Sequence, residues 1–333
     1  MKIFITGVTG FLGRHLALRM LKLGHEVAGN DNYIGSTKSN LLKEIDFYEI
    51  DCLDLEEMTK ATKGSDIVYH AAAMAHEGLS VFAPYYITNN IFQASISTFT
   101  AAIRNNVKKI VFCSSMARYG KQSPPFHEGM EPNPVDPYAI AKVAAENCLK
   151  ILAEVNKFEY NIAVPHNIVG PYQKYDDPFR NVMSIFINRN LMGKPAIIYG
   201  DGSQKRCFSY IDDVIECMEQ LALNDKINSE IVNVGPDEEE VSVLELSKMC
   251  ANVTGYNGEP IFLKDRPQEV KVATCSSDKA RKLFNYKTKT TLRESIIKTK
   301  EYIIENGVKD FVYHIPLEII NDKTPETWVK KLI

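Results

Sequence analysis

The chain has a single tryptophan in 333 residues, no Cys-x-x-Cys pair, no block rich in lysine or arginine, and no low-complexity segment or internal repeat. Its seven cysteines are scattered and odd in number, which disfavours a disulfide framework or a thiolate zinc site and fits a reducing cytoplasm. A net charge of −3 gives no reason to expect a nucleic-acid partner. No apolar run approaches the roughly 18 residues of a membrane span. The opening MKIFITGVTGFLG is broken by three glycines, runs into Arg14-His15 and has no small-residue cleavage site, so no signal peptide is expected. His70, His76, His127 and His166 show no ligand spacing, and no metal is expected. The acidic run at 237–240 reads as a solvated loop.

What is present is alternation. KIFITG, HEVAGND, FYEID, DIVYHAAA and KKIVFCSS read as short buried strands, separated by helical patterns at Phe11–Leu23, 54–63 and 84–105. YAIAKVAAENCLKILAEV is the clearest helix, with Pro137 suited to its start, and YNIAVPHNIVG reads as one further strand. Such alternation predicts a Rossmann-like α/β fold, a doubly wound parallel sheet with helices on both faces. Beyond about residue 170, a proline-bearing polar loop leads into helical segments at 181–192, 212–223, 242–253 and 290–306, with short strands AIIYG and EIVNVG. The expected division is a dinucleotide-binding domain over 1–170 and a smaller α/β substrate lobe with a tail over 171–333. A strand or helix of the second half is expected to return to the first.

Gly7, Gly10 and Gly13 follow the first strand and enter the first helix. This placement suits a backbone that turns tightly against a pyrophosphate, although a plain strand–helix turn can carry the same glycines. Asp31, at the end of the second strand, suits the adenosine ribose hydroxyls and would repel a 2′-phosphate, favouring NAD over NADP; an ordinary turn aspartate is the alternative. Tyr138 and Lys142 are four apart on one helix and share a face.

The glycine turn, CSSMARYG and Tyr138-x-x-x-Lys142 together resemble the extended short-chain dehydrogenase/reductase superfamily, most closely its nucleotide-sugar 4-epimerase branch. DNYIGS, YEIDCLD, HAAA, YITNNIF, PHNIVGP, IYGDGSQKRCFSYIDDV and DRPQEV extend the likeness over about residues 1–300. The resemblance implies a catalytic base at Tyr138, a ribose-binding Lys142 and a hydroxyl-orienting Ser115. It implies an NAD site formed by Gly7, Gly10, Phe11, Leu12, Gly13, Asp31, Asn32, Ser36, Asp51, Cys52, Ala71, Ala72, Ala73, Asn90, Cys113, Tyr138, Lys142 and Pro165. For a UDP-sugar it implies Ala75, Ser115, Met116, Tyr138, Asn167, Asn181, Val182, Tyr199, Arg206, Arg266 and Ala273. Arg206 and Arg266 are the diphosphate ligands in that scheme, as planar guanidinium forks suit phosphate oxygens. Val164, Val169 and Ser276 depart from common family choices.

The implied reaction is reversible C4 oxidation: Tyr138 takes the 4-hydroxyl proton, a hydride passes to NAD⁺, and the 4-keto sugar turns over and is reduced on its other face. Met116 and Ala117 stand where a 4,6-dehydratase of the superfamily carries Asp-Glu, which argues against elimination. A reductase or dehydrogenase with net redox and a decarboxylase remain rivals, as does an NAD-binding regulator without turnover. By the resemblance, Ala273 faces the sugar C2 substituent and its small size admits N-acetyl. The same likeness implies a homodimer joined through helices 84–105 and 138–156, while the cysteine pattern and the lack of an apolar span point to the cytoplasm.

Overall fold

The β-branched runs of the first half become adjacent strands because each is apolar on both faces and needs cover above and below. The computed structural model describes all 333 residues. Seven strands form the main sheet: β1 (Lys2–Thr6), β2 (Glu26–Asn30), β3 (Asp46–Tyr48), β4 (Ile67–His70), β5 (Lys109–Cys113), β6 (Glu159–Pro165) and β7 (Glu230–Val234). Their order is β7-β6-β5-β4-β1-β2-β3, with every neighbouring pair parallel. The order reverses at β1, so the crevice beyond the carboxyl ends of β1 and β4 is the expected ligand position.

Helices Phe11–Lys22 and Ile211–Leu223 cover one face of the sheet, burying Leu16, Met20, Val214 and Met218 with Ile3 and Ile5. Helices Leu55–Ala61, Ala94–Arg104 and Pro137–Asn156 cover the other, around Phe4, Phe99, Phe112 and Leu149. β7 and Ile211–Leu223 come from beyond residue 170 and complete the sheet's last edge and one of its helical layers. Helices Val182–Leu191, Val243–Thr254 and Leu292–Asn306 surround a separate core cluster. The last two begin with capping boxes, Ser242 with Glu245 and Thr291 with Glu294. No helix is long and apolar enough to cross a membrane.

Two sequence-derived elements are subdivided. YNIAVPHNIVG forms β6 and then a separate strand, Ile168–Val169, paired with Ser209–Tyr210; the break falls where Asn167 adopts φ +41°. The helix expected over 84–105 contains a π turn at Asn89–Gln93, between Pro84–Thr88 and Ala94–Arg104. Such turns recur at functional sites because they re-aim a side chain, and Asn90 here faces the central cavity.

The tail, for which the sequence suggested no role, packs against the protein. Trp328 is buried edge-on against Phe82 and Phe179. The Glu318 carboxylate accepts hydrogen bonds from the backbone N–H groups of Tyr85 and Tyr86, at 2.9 Å each.

Candidate active site

A large cavity runs from the carboxyl ends of β1, β2 and β4 to the C-terminal lobe. At its first end the chain turns at Gly7 (φ +68°), and a Cβ at Gly13 would lie only 2.1 Å from the Gly7 carbonyl oxygen. Glycine is therefore required at Gly13 for the helix to pack so closely on the turn. Helix Phe11–Lys22 has no side-chain cap and no acidic residue in its first turn, leaving its N-terminal N–H donors for an anionic group. Asp31 is preset by hydrogen bonds from the Thr9 N–H (3.2 Å) and Tyr33 N–H (2.7 Å). Asn32 donates to Asp51 at 2.8 Å. Uncapped donors, a glycine cradle and an oriented carboxylate fit a dinucleotide in extended form.

Ser115, Tyr138 and Lys142 lie midway. Asp136 caps helix Pro137–Asn156, accepting from the Ala139 N–H at 2.9 Å, and so sets the first turn that carries Tyr138. Lys142, one turn on, donates to the Cys113 carbonyl at 2.6 Å. Ser115 begins the short turn Met116–Tyr119 after β5, its Oγ accepting from the Ala117 N–H at 3.2 Å. Burial raises the Tyr138 phenol above its ordinary range, while the Ser115 hydroxyl draws it back down. Burial also lowers Lys142 to about 8. The same effect holds the Cys52 and Cys113 thiols at about 12, far from nucleophilic.

At the far end, Arg266 makes a two-point ion pair with Glu269 (3.1 Å each) and lies 4.8 Å over the Tyr199 ring. Arg206 donates to the Lys205 and Val270 carbonyls at 2.8 Å. Asn181 caps helix Val182–Leu191 and, like Asn167, faces the cavity.

Almost every residue singled out from the sequence lines this one cavity: Gly7, Gly10, Phe11, Leu12, Gly13, Asp31, Asn32, Asp51, Cys52, Ala71, Ala72, Ala73, Ala75, Asn90, Cys113, Ser115, Tyr138, Lys142, Pro165, Asn167, Asn181, Val182, Tyr199, Arg206 and Arg266. Three do not. Ser36 stands behind Asp31, its hydroxyl 3.3 Å from the carboxylate and 2.7 Å from the Thr9 hydroxyl. Met116 and Ala273 are buried in the core cluster with Phe112 and Cys275. Ala273 pairs with Arg206 across a short strand ladder, but it is 4% exposed and packs in that core cluster, and only Arg206 of the pair lines the cavity. The C2 argument from Ala273 therefore has no contact to rest on. Ala273→Tyr should lower thermal stability by roughly 1–3 kcal/mol through overpacking rather than selectively excluding N-acetyl sugars. A melting curve beside turnover of both sugar types checks this.

Two groups escaped sequence reasoning. The fully buried Arg118 makes a two-point ion pair with Glu146 (3.1 Å each), and the Ser114 hydroxyl donates to the same carboxylate. This pair joins the Ser115 turn to the Tyr138 helix, and Glu146 stands four residues beyond Lys142 on the same face. The second is a cluster of His76, Asp177 and His314, whose ligand-type atoms lie within 4.8 Å of one another. His76 contacts Asp177 at 2.9 Å and Arg180 contacts the same carboxylate oxygen at 3.2 Å, so that anion already has a cation. The cluster ties the tail to the loop before helix Val182–Leu191.

Glycine turn, preset aspartate and a Ser–Tyr–Lys group at the carboxyl edge of a parallel sheet define an NAD-binding enzyme of the short-chain dehydrogenase/reductase type. Residues 3–235 match the family model described as the NAD dependent epimerase/dehydratase family. The chain belongs to that family, whose members act on nucleotide sugars with NAD as cofactor. It is 34% identical over 260 residues to a UDP-N-acetyl-alpha-D-glucosaminuronate decarboxylase of Bacillus cytotoxicus, covering 75% of this chain and 79% of that one. The crystal structure of a Thermotoga maritima UDP-glucose 4-epimerase with UDP-glucose superposes with a TM-score of 0.87 at 29% identity, covering 92% of this chain and 99% of that one. A Methanobrevibacter ruminantium UDP-N-acetylglucosamine 4-epimerase in complex with UDP-N-acetylmuramic acid gives 0.85 at 28% identity, with coverage of 92% and 99%.

Proposed function

We propose that this protein epimerises a UDP-hexose at C4, with UDP-N-acetylglucosamine/UDP-N-acetylgalactosamine as substrate pair and UDP-glucose/UDP-galactose as a second pair. The observation that carries the reading is the sharing of one cavity by Ser115, Tyr138 and Lys142 with Arg206 and Arg266. A sugar tethered by its diphosphate at the two arginines can then present a hydroxyl to the phenol. The Methanobrevibacter neighbour supports the N-acetyl pair, and the Thermotoga neighbour the plain pair.

Gly7, Gly10, Gly13, Asp31 and Lys142 would hold NAD, which when bound accepts and returns the C4 hydride. Tyr138 moves the proton at the 4-oxygen, giving it up again when the ring is reduced from the other side. Ser115 aligns that oxygen. Lys142, largely protonated below about pH 8, supplies positive charge one turn from the phenol, opposing the effect of burial. Met116 and Ala117 bring no acid or base, so elimination from C5–C6 has no proton shuttle there.

Helix Pro137–Asn156 exposes Ile140, Ile151 and Val155, and Tyr85 lies exposed on Pro84–Thr88. These apolar side chains support pairing of two copies through those helices.

The test is to incubate purified protein with each UDP-hexose without added NAD and resolve the products. C4-inverted product with no accumulating NADH supports epimerisation; stoichiometric NADH would overturn it. Decarboxylation of a UDP-hexuronic acid is the second reading, favoured by the Bacillus cytotoxicus relative, and would be scored by carbon dioxide release.

A further inference from the structure

Each charged side chain on the cavity wall has a partner except one. Lys174 pairs with Asp176 at 3.1 Å, Arg180 with Asp177 at 3.2 Å and Arg266 with Glu269 at 3.1 Å, while Asp136 accepts the Ala139 N–H. Glu77, in the loop after β4, lines the same cavity, and its carboxylate makes no ion pair and accepts no hydrogen bond. By surface area it is exposed, on a stretch of wall open to the cavity, so a molecule filling that cavity meets its carboxylate directly.

Its charge acts on groups on both sides of this part of the cavity. The Tyr138 phenol feels its charge on one side, and the Arg206 and Arg266 guanidinium groups feel it on the other. A Cβ at the next residue, Gly78, would lie 3.4 Å from Arg266 Nη1. A sugar joined to a diphosphate at those arginines, with its 4-hydroxyl at Tyr138, shares the cavity with Glu77.

We infer that Glu77 is a specificity-determining residue of the sugar subsite, selecting a neutral UDP-hexose that offers an O–H or N–H donor and rejecting a UDP-hexuronic acid. The inference rests on the reading of this cavity as a UDP-sugar site. A free carboxylate is an acceptor without a donor, and a hexose hydroxyl or amide N–H supplies one. A hexuronic acid brings a second carboxylate into the same confined space, where like charges repel far more than in water. Arg206 and Arg266 do not relieve that repulsion once they meet the diphosphate, and Lys174 and Arg180 already have their own carboxylates.

The filter depends on pH. Burial, with Asp136 adding to it and the two arginines opposing, raises Glu77 to about 7. Below that pH the side chain is neutral and the rejection weak; above it the side chain is charged and the rejection strong. Asp136, Glu269, Arg206, Arg266 and Tyr138 are the titratable groups facing it. Of the carboxylates among them, Asp136 is also raised by burial, so the trend has to vanish on removal of the Glu77 charge alone.

The test is calorimetric binding of UDP-glucose and UDP-glucuronic acid to the NAD-saturated protein near pH 6 and pH 8. The native protein should prefer UDP-glucose by about tenfold or more at the higher pH, and by less at the lower. Glu77→Gln should reduce that preference by about tenfold and remove its pH dependence, and Glu77→Ala should do the same. Equal or reversed preference in the native protein, an unchanged ratio in both variants, or no binding of either nucleotide sugar would overturn the inference. Because the readout is binding, a preserved ratio change without turnover of any UDP-sugar would overturn the epimerase reading alone.

Discussion

Tyr138→Phe should reduce kcat for C4 inversion by about 10³-fold, within the 10²–10⁴ range for removal of a positioned proton-transfer group. The UDP-sugar KM should change by no more than about threefold. The ring sits buried in a cluster with Ala139, Ala141 and Ile91, and phenylalanine preserves that packing while removing the oxygen that meets Ser115. Steady-state epimerisation with matched melting curves separates the chemical loss from any folding defect. Turnover within a few-fold of native would mean that the proton leaves by another route.

Glu146→Ala should be the most damaging single change to stability outside the main hydrophobic clusters. It strands Arg118, which is only 1% exposed, as a buried cation with no carboxylate, and removes the acceptor of the Ser114 hydroxyl. Breaking a buried pair from one side costs roughly 3–5 kcal/mol, far more than deleting a surface ion pair. The fall in thermal midpoint should be on the order of 5–10 °C in calorimetry. Surviving folded protein should also turn over more slowly, because the ion pair fastens the Ser115 turn to the Tyr138 helix. Arg104→Ala, which breaks the exposed Arg104–Glu56 pair, is the control and should change stability by less than about 1 kcal/mol.

Much of the site was legible because its signals are local. The strand–glycine–helix junction, the Tyr138–Lys142 spacing and the Pro137 helix start each lie within a dozen residues, where backbone sterics and helical periodicity act. Glu77 gave no such signal: a glutamate in a loop usually faces solvent, and only the folded chain brings it onto the same cavity wall as Arg206 and Arg266. Arg118 and Glu146 are 28 residues apart, and nothing in either segment announces the pairing. His76 and Asp177 are 101 residues apart, which is why no ligand spacing could be seen. Ala273 lay within a recognisable motif, yet whether its methyl meets the cavity or the core depends on the distant residues Phe112, Met116 and Cys275 with which it shares the core cluster.

By itself, then, the sequence determined the parallel α/β layering, the glycine turn and the shared helix face of Tyr138 and Lys142, since these follow from periodicity, glycine sterics and short spacings along one chain; the roles of Ser115, Tyr138 and Lys142 came from the family resemblance. The tertiary structure alone decided which charge stands unpaired on the cavity wall, which buried ion pair holds the Ser115 turn, where Ala273 packs and where the tail lodges. Those outcomes depend on burial and on electrostatic partners brought from distant segments, and neither exists until the chain has folded.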